Sequence, residues 1–466
     1  MSGEAETARA PRRQPGVRRT TTTSNFGVSK RESHDASGFY ARFEPPRLDD
    51  DDTVPSPQPI TEPLVCGDAR DMHTVADGTV ALVVTSPPYF AGKQYEEELE
   101  RDGVPSSYLE YLDLLHDVFA ECARVLEPGG RIAVNVANLG RKPYRSLAAD
   151  VIHILQDRLG LLLRGEIVWQ KGAGASGSCA WGSFRSATNP VMRDVTERVI
   201  VASKGRFRRA LSTDERAKRG LPHASTISTE DFMALTLDVW QTPSESAKRV
   251  GHPAPFPIEL PEKLIELFTF EDDLVLDPFV GSGSTLVAAS RLGRRYVGYD
   301  LDPGYVELAA ARLADEGDRE PLDPDRQAGA KERVQQVFED AGFTLEGPGV
   351  RISGTGVTAP WVATDAAGGR WVVLVGGPFV RHRGGLNSAD AVWRTLGHAH
   401  ALRGAGERVV VVTSDVPRRR TEFDQAIRTA GPDAVFDVVD AFDPDALDRL
   451  GTYAAGRVQE PLPGFW

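Results

Sequence analysis

The chain has 466 residues, of which 41% are hydrophobic, and carries a formal net charge of −13. That length exceeds one ordinary core and fits roughly two to four domains. No apolar run approaches the roughly 18 residues of a membrane span, and the acidic balance taken alone argues against nucleic acid.

The first 45 residues are expected to be a disordered or extended tail. Residues 1–24 are mostly Arg, Thr, Ser and Pro, with no apolar segment that would mark a signal peptide. "LDDDDTVPSPQP" (48–59) is an acidic, Pro-rich linker. From Leu64 onward strand and helix signals alternate. "PLVCGD" and "VALVVTS" read as strands, "YLEYLDLLHDVFAECARVL" (108–126) as a helix, and "EPGGRIAVNVAN" as a turn and strand. "LAADVIHILQDRLGLLL" follows as a helix and "RGEIVWQK" as a strand. Such alternation predicts an α/β fold around a parallel sheet.

Residues 172–250 break this rhythm and are rich in Gly, Ser and Arg. Between Arg141 and Arg249 there are 18 Lys and Arg against 11 Asp and Glu, a net of +7 inside an acidic chain. A basic island of this kind suits a phosphate-binding face or a solvated loop region, and charge alone leaves both open. The α/β rhythm resumes at Glu262 and closes near Leu313. Residues 316–330 form a charged linker, and 331–466 read as a separate small α/β domain. Cys66, Cys122 and Cys179 are widely spaced, which fits neither a disulfide framework nor a zinc site and implies a reducing, cytoplasmic setting.

"DLVLDPFVGSGSTLVAASRLGRRYVGYDLD" (273–302) contains a strand, a Gly-rich turn, a helix, a second strand and an acidic end. Gly281 and Gly283 allow close backbone approach, and Ser284 or Thr285 can open the helix toward a ligand. Asp300 follows Gly281 by 19 residues. An acid at about that spacing grips ribose hydroxyls in βαβ nucleotide sites. The turn lacks a third glycine and a lysine, so it points to a nucleoside without phosphates; an ordinary strand-to-helix turn is the plainer reading.

"DPFVGSGST" resembles the S-adenosylmethionine loop of DNA amino-methyltransferases, and "TSPPY" (85–89) resembles their catalytic motif. "GHPAPFPIELPEKLIELF" (251–268) looks like their segment beside the methionine end of the cofactor. "VWQKG" with "WGSFRSATNPVMRDVTERVIVASKG" (181–205) looks like their approach to target recognition. The catalytic motif precedes the cofactor loop, which is the order of the beta group. The resemblance covers roughly residues 25–315. It implies a Rossmann-like methyltransferase sheet over 46–315, with a target-recognition insert at about 172–250.

It also implies site residues. Ser86 and the Pro87 carbonyl would accept from the exocyclic NH₂ of a flipped base, Pro87 and Pro88 would stiffen the turn, and Tyr89 would stack on the base. Asp277, Pro278, Phe279, Gly281, Gly283, Ser284, Thr285, Asp300, His252, Pro253 and Phe256 would surround S-adenosylmethionine. Asp68, in "VCGDARDM", would reach its adenine or merely cap the next turn. Arg185, Arg193, Lys204, Arg206, Arg208, Arg209, Lys218 and Arg219 would contact duplex DNA. No metal is implied. Serine before the two prolines resembles enzymes acting at N4 of cytosine, whereas Asp or Asn is commoner in those acting at N6 of adenine. Adenine-N6 methylation, a non-catalytic DNA- or RNA-binding protein on the same fold, and a small-molecule methyltransferase stay open. So do a monomer or homodimer, and a cognate restriction enzyme or defence partner.

In 331–466 the order of helix, strand "WVATD", strand "WVVLVGG", helix and strand loosely resembles restriction-endonuclease-like cores. Asp365 would be the first carboxylate of such a site, and Glu339 a second acid nearby. The second strand has neither acid nor lysine, so the nuclease site would be degenerate and the domain an accessory one. His382, His398 and His400 are too dispersed for a metal site.

Overall fold

Short β-branched runs become strands, and the longer amphipathic runs between them become helices. In the computed structural model, residues 48–88, 107–138, 144–171, 182–243, 257–317, 329–379, 384–456 and 458–466 are described. Tyr89, His252, Pro253, Phe256 and His382 lie outside the described residues.

In chain order the first part contains β1 (Leu64–Cys66), β2 (Val80–Thr85), α1 (Tyr108–Val125), β3 (Leu126–Val136), α2 (Leu147–Ile152), β4 (Leu162–Gln170) and β5 (Thr196–Ser203). It continues with α3 (Thr213–Lys218), α4 (Thr229–Leu235), β6 (Val239–Gln241), α5 (Glu259–Phe268), β7 (Leu274–Asp277), α6 (Ser284–Arg291), β8 (Arg295–Asp300) and α7 (Pro303–Gly317). The eight strands form one sheet in the order β1-β8-β7-β2-β3-β5-β4-β6. The first five in that order run parallel, β5 is antiparallel to both its neighbours, and β6 runs with β4. This is the expected Rossmann-like α/β sheet, extended by a reversed strand.

All six residues of β2 are buried, as a central parallel strand with both faces covered requires. Val83 on β2 joins Ile132 and Val134 on β3, packing against Leu115, Phe119 and Cys122 of α1 and Val151 of α2. Leu82 and Val84 point the other way, toward Leu260 and Leu264 of α5 and Ala288 of α6. The period-2 alternation thus divides one strand between two apolar layers.

Two boundaries differ from the sequence expectation. The turn expected at "EPGG" is a bulge within β3: pairing with β2 jumps from Val80↔Leu126 to Leu82↔Arg131. The helix expected to run through Leu163 ends earlier. After α2, His153–Arg158 form a π-turn, Gly160 reverses the chain at φ +66°, and Leu162 and Leu163 already belong to β4.

The second sheet follows α8 (Ala330–Ala341) and includes β9 (Thr344–Glu346). After a small ribbon of β10 (Val350–Arg351) and β11 (Thr358–Ala359) come β12 (Trp361–Thr364), β13 (Arg370–Val375), α9 (Ala389–Gly404), β14 (Val409–Thr413), α10 (Glu422–Ala430), β15 (Asp437–Asp440) and α11 (Pro444–Ala454). Its order is β15-β14-β13-β12-β9, with β13, β14 and β15 parallel. Trp371, Phe338, Phe436 and Tyr453 form its aromatic centre, with the Trp371 and Phe436 rings edge to face at 4.9 Å. Among the described residues no helix is long and apolar enough to cross a membrane.

Candidate active site

Parallel strands present their carboxyl ends along one edge, and a crevice there is the usual ligand position in such sheets. Here β1, β8, β7 and β2 stand side by side, so the loops after them converge. The Gly-rich turn links β7 to α6. Gly281 donates its N–H to Asp300 Oδ2 at 2.8 Å, and Asp302 N–H reaches the other carboxylate oxygen at 3.0 Å. Gly67 N–H donates to the Asp300 carbonyl at 2.9 Å, which brings the Asp68 segment alongside. Burial pushes the Asp300 carboxyl above the usual range.

Gly283 sits at φ +81° as the residue before α6, and an added Cβ would lie 2.9 Å from Ala309 Cβ. Only glycine combines that backbone conformation with that closeness. The helix has no side-chain cap, so its N-terminal end offers backbone donors and dipole to the turn. Ser284 and Thr285 open the helix as expected, but both are buried and their hydroxyls turn inward. Thr285 Oγ1 donates to Asp277 Oδ2 at 2.7 Å, and Ser284 Oγ accepts from Arg312 at 3.5 Å. Contact with a ligand here falls to backbone and to Asp300. The stretch from Asp277 to Thr285 holds no lysine or arginine, which fits an uncharged nucleoside and not a pyrophosphate.

Asp277 is fully buried at the end of β7. Its Oδ1 accepts from Thr85 Oγ1 at 2.7 Å and from Phe279 N–H at 3.1 Å. Burial raises its carboxyl to about 6, against the opposing pull of the Thr285 and Thr85 hydroxyls. The carboxylate therefore ties the last residue of β2 to the start of the Gly-rich turn.

Ser86 follows Thr85 and is half-buried, with Pro87 buried behind it and Pro88 partly so. The Pro88 carbonyl accepts from Tyr111 Oη at 2.5 Å, anchoring the turn to α1. Ser86 Oγ donates to the Asn135 carbonyl at 3.3 Å and accepts from Asn135 Nδ2 at 3.4 Å. Asn135 Nδ2 also donates to Glu197 Oε2 at 2.6 Å, and Glu197 Oε1 pairs with Lys171 Nζ at 2.5 Å. Asn135, Glu197 and Lys171 were not singled out from sequence. The available signal was one polar residue in each of two otherwise apolar strand cores, "RIAVNVAN" and "TERVIVAS".

Asp68 stands beside the crevice, but its carboxylate is engaged by Arg70, with Nε at 2.9 and 3.0 Å and Nη2 at 2.5 Å. The hydrogen bond from that guanidinium holds its carboxyl below the usual range. The turn reading weighed for Asp68 also has its geometry: Arg70 N–H donates to Oδ1 at 2.9 Å.

The basic island does not form one face. Because β5 runs backward, residues before it and after it leave opposite ends of the sheet. Arg198 pairs with Val136 near the Ser86 end, whereas Ser203 pairs with Arg131 at the other. Arg185 and Arg193 lie in the excursion between β4 and β5 at the Ser86 end and are exposed. Lys204, Arg206, Arg208, Arg209, Lys218 and Arg219 follow β5 at the far end. Lys204 is half-buried and donates to the carbonyls of Arg124 and Leu126 at 3.1 and 2.7 Å. Arg206 Nε donates to the Asp49 carbonyl at 3.2 Å. Arg209 is locked with Arg216 around Glu127 and Asp273, with Arg209 Nη1 at 3.0 Å from Asp273 and Arg216 Nη1 at 3.2 Å from Glu127. Arg208, Lys218 and Arg219 are exposed but face the same far end. The expectation of a single DNA face is corrected by the direction of one strand.

In 331–466, Asp365 closes the hairpin between β12 and β13. It accepts from Ala367 N–H at 2.9 Å, Gly369 N–H at 2.8 Å and Trp371 Nε1 at 2.9 Å. Glu339 is exposed on α8 and accepts from Gln335 at 2.8 Å. Among the described residues no group of three or more His, Cys, Asp or Glu is placed to hold a metal.

Comparison with known proteins places this arrangement. A family model described as DNA methylase matches residues 80–311. The Type II methyltransferase M.Cfr9I of Citrobacter freundii is 30% identical over 284 residues, covering 54% of this chain and 87% of that protein. The Type II beta methyltransferase M.BslI of a Bacillus species is 29% identical over 268 residues. That match covers 54% of this chain but only 28% of M.BslI. A solved DNA modification methylase of Thermus thermophilus is 31% identical, with 55% of this chain and 96% of that chain covered and a TM-score of 0.42.

Proposed function

This chain belongs to the DNA methylase family, and from that premise we propose that it methylates an exocyclic amino nitrogen of a base in duplex DNA, using S-adenosylmethionine. The observation that carries the reading is the buried bridge from Thr85 through Asp277 to Thr285, which sets Ser86 beside the Gly-rich turn.

S-adenosylmethionine supplies an activated methyl: as the amino nitrogen bonds the methyl carbon, the carbon–sulfur bond breaks with its electron pair going to sulfur, and a proton leaves the nitrogen to water. The chain's residues supply position and polarity. Gly281, Gly283 and Asp300 would hold the nucleoside portion. Ser86 Oγ and the Pro87 carbonyl would accept from the amino group, drawing its lone pair out of conjugation with the base. Pro87 and Pro88 keep that carbonyl in a fixed direction. Serine at position 86 favours N4 of cytosine over N6 of adenine, and the order of the two motifs favours the beta group. Residues 46–315 would carry this chemistry, and 331–466 would be accessory. Arg185 and Arg193 are the cations of the basic island whose place suits DNA at this crevice.

Purified protein with tritiated cofactor is expected to label duplex DNA. Ser86→Ala is expected to lower turnover by about 10²-fold, the worth of one preorganised hydrogen-bonding group, with cofactor affinity unchanged. Loss of cofactor binding in step with activity would remove Ser86 from the assigned role. Digestion of the product to nucleosides separates N4-methylcytosine from N6-methyladenine.

A further inference from the structure

The group behind Ser86 has a structure that the family motifs do not explain. Asn135 on β3 and Glu197 on β5 are 2% and 6% exposed. They stand on the sheet face that is otherwise lined by Ala133, Val199, Val201, Ile167 and Trp169. A carboxylate in such surroundings is costly unless it is paired and hydrogen-bonded. Here it is gripped at both oxygens, by Lys171 Nζ at 2.5 Å and by Asn135 Nδ2 at 2.6 Å. Lys171 follows β4 directly and lies 5.5 Å from the centre of the Trp169 ring. The Trp169 indole is fixed by its N–H bond to the Thr242 carbonyl at 2.8 Å. Three strands therefore contribute one residue each to a short polar chain that ends on Ser86.

We infer that Glu197, held by Lys171, is a positioning residue for the methyl transfer: it fixes the Asn135 carboxamide so that Asn135 orients the Ser86 hydroxyl toward the base. The inference rests on the proposed methylation. A serine hydroxyl has one proton and two lone pairs. The proton goes to the Asn135 carbonyl at 3.3 Å, and one lone pair meets Asn135 Nδ2 at 3.4 Å. A lone pair held in a fixed direction by these contacts can accept from an amino N–H of the substrate. Both contacts to Ser86 are long, so they orient the hydroxyl only if Asn135 itself is held, and its short bond to Glu197 does that. Loss of the Glu197 carboxylate lets the carboxamide turn and loosens its hold on Ser86. The buried negative charge also lies where it favours the positive charge that develops on nitrogen as the methyl arrives.

The test is a double-mutant cycle on the full chain, with single-turnover methylation of duplex DNA as the rate. Glu197→Gln keeps the shape and removes the charge that fixes Asn135. Asn135→Ala removes the link and leaves the Lys171–Glu197 pair in place. Each variant is expected to slow the rate about tenfold or more, and the pair together no more than the slower single variant, as residues acting through one network do. Binding of S-adenosylmethionine by calorimetry and of duplex DNA by anisotropy should stay within about twofold of the unsubstituted protein, a split that mere loss of packing would not give. Rates that multiply in the double variant, or cofactor affinity that falls with the rate, would overturn the positioning role. Should Glu197→Gln fail to fold, Asn135→Ala with Lys171→Gln completes the same cycle. If the unsubstituted protein does not methylate duplex DNA, the proposed function falls. If it does and both variants match its rate, this inference alone falls.

Discussion

Thr85 donates its hydroxyl to Asp277 at 2.7 Å, across the boundary between β2 and β7. The residues are 192 positions apart in the chain, yet each ends its strand, and the bond joins the two motifs that carry the chemistry. Thr285 completes the bridge from the first turn of α6. A fully buried carboxylate with two hydroxyl donors and one amide donor is a satisfied polar group, but its charge still lacks water.

That sets a pH dependence. Asp277 has a carboxyl raised from 3.8 to about 6, chiefly by burial. The folded protein keeps this proton at pH values where the unfolded chain has released it, so rising pH favours unfolding. Stability should therefore fall between about pH 4 and pH 6 and level off above. This group's contribution is about 3 kcal/mol for a proton held about two pH units longer. Asp277→Asn cannot titrate. Urea unfolding from pH 4 to pH 7.5 should show the difference between protein and variant shifting in the variant's favour as pH rises. Parallel curves would assign the effect to other groups.

Asp300 is expected to act on the cofactor both directly and through Gly281, since one carboxylate oxygen holds that amide at 2.8 Å. Asp300→Ala should weaken S-adenosylmethionine binding by about 2 kcal/mol, the upper range for hydrogen bonds to a charged group. Asp300→Asn can still accept from Gly281 and should lose less. Calorimetry showing unchanged affinity in both variants would make Asp300 a purely structural end to β8. Asp302, exposed two residues on, would then be the acid to substitute.

Much of this was legible in sequence because parallel strands buried on both faces read as apolar runs: "VALVVT", "DLVLD" and "RYVGYD" all became strands where expected. The Gly-rich turn and the acid 19 residues later were legible because one supersecondary unit holds both, and Gly281 and Asp300 are indeed bonded. Strand direction was not legible. Nothing local in "TERVIVAS" says that β5 runs backward, and that reversal sends Lys204 and Arg209 away from Ser86. Nor was the buried set of Glu127, Arg209, Arg216 and Asp273, whose bonded pairs across the set are separated by 57 to 89 residues. Four charges scattered along the chain look like solvated surface until the fold brings them together.

The split basic island makes an asymmetric prediction. Charge reversal at Arg208, Lys218 and Arg219 together should leave duplex DNA affinity and its salt dependence unchanged, because these residues face the end of the sheet roughly 15–20 Å from Ser86, the length of about five to six strand residues. Arg185→Ala and Arg193→Ala should weaken binding. Each should reduce the slope of log affinity against log salt by about one unit if it meets a phosphate. Anisotropy titrations at several salt concentrations decide it. A large loss from the far-end triple variant would mean that DNA wraps the sheet or binds behind it.

The last prediction concerns the second sheet, which should not cut DNA. A metal-dependent nuclease must gather acids, and usually a lysine, around one phosphate. Asp365 cannot be spared for that task. Burial would push its carboxyl up, but bonds from the Trp371 indole and the amides of Gly369 and Ala367 hold it below the usual range, as the knot of the β12–β13 hairpin. On the next strand Trp371, Val372, Val373 and Leu374 are buried apolar residues with no side-chain oxygen to offer a metal. Full-length protein with Mg²⁺ should therefore leave unmethylated plasmid intact. Asp365→Ala should instead destabilise the fold by about 2–4 kcal/mol, since it strands three donors. Thermal melting and a plasmid assay on the same samples separate the outcomes. Site-specific cleavage by the unsubstituted protein, lost in an Asp365→Ala variant that still melts normally, would show a working nuclease site on the second sheet.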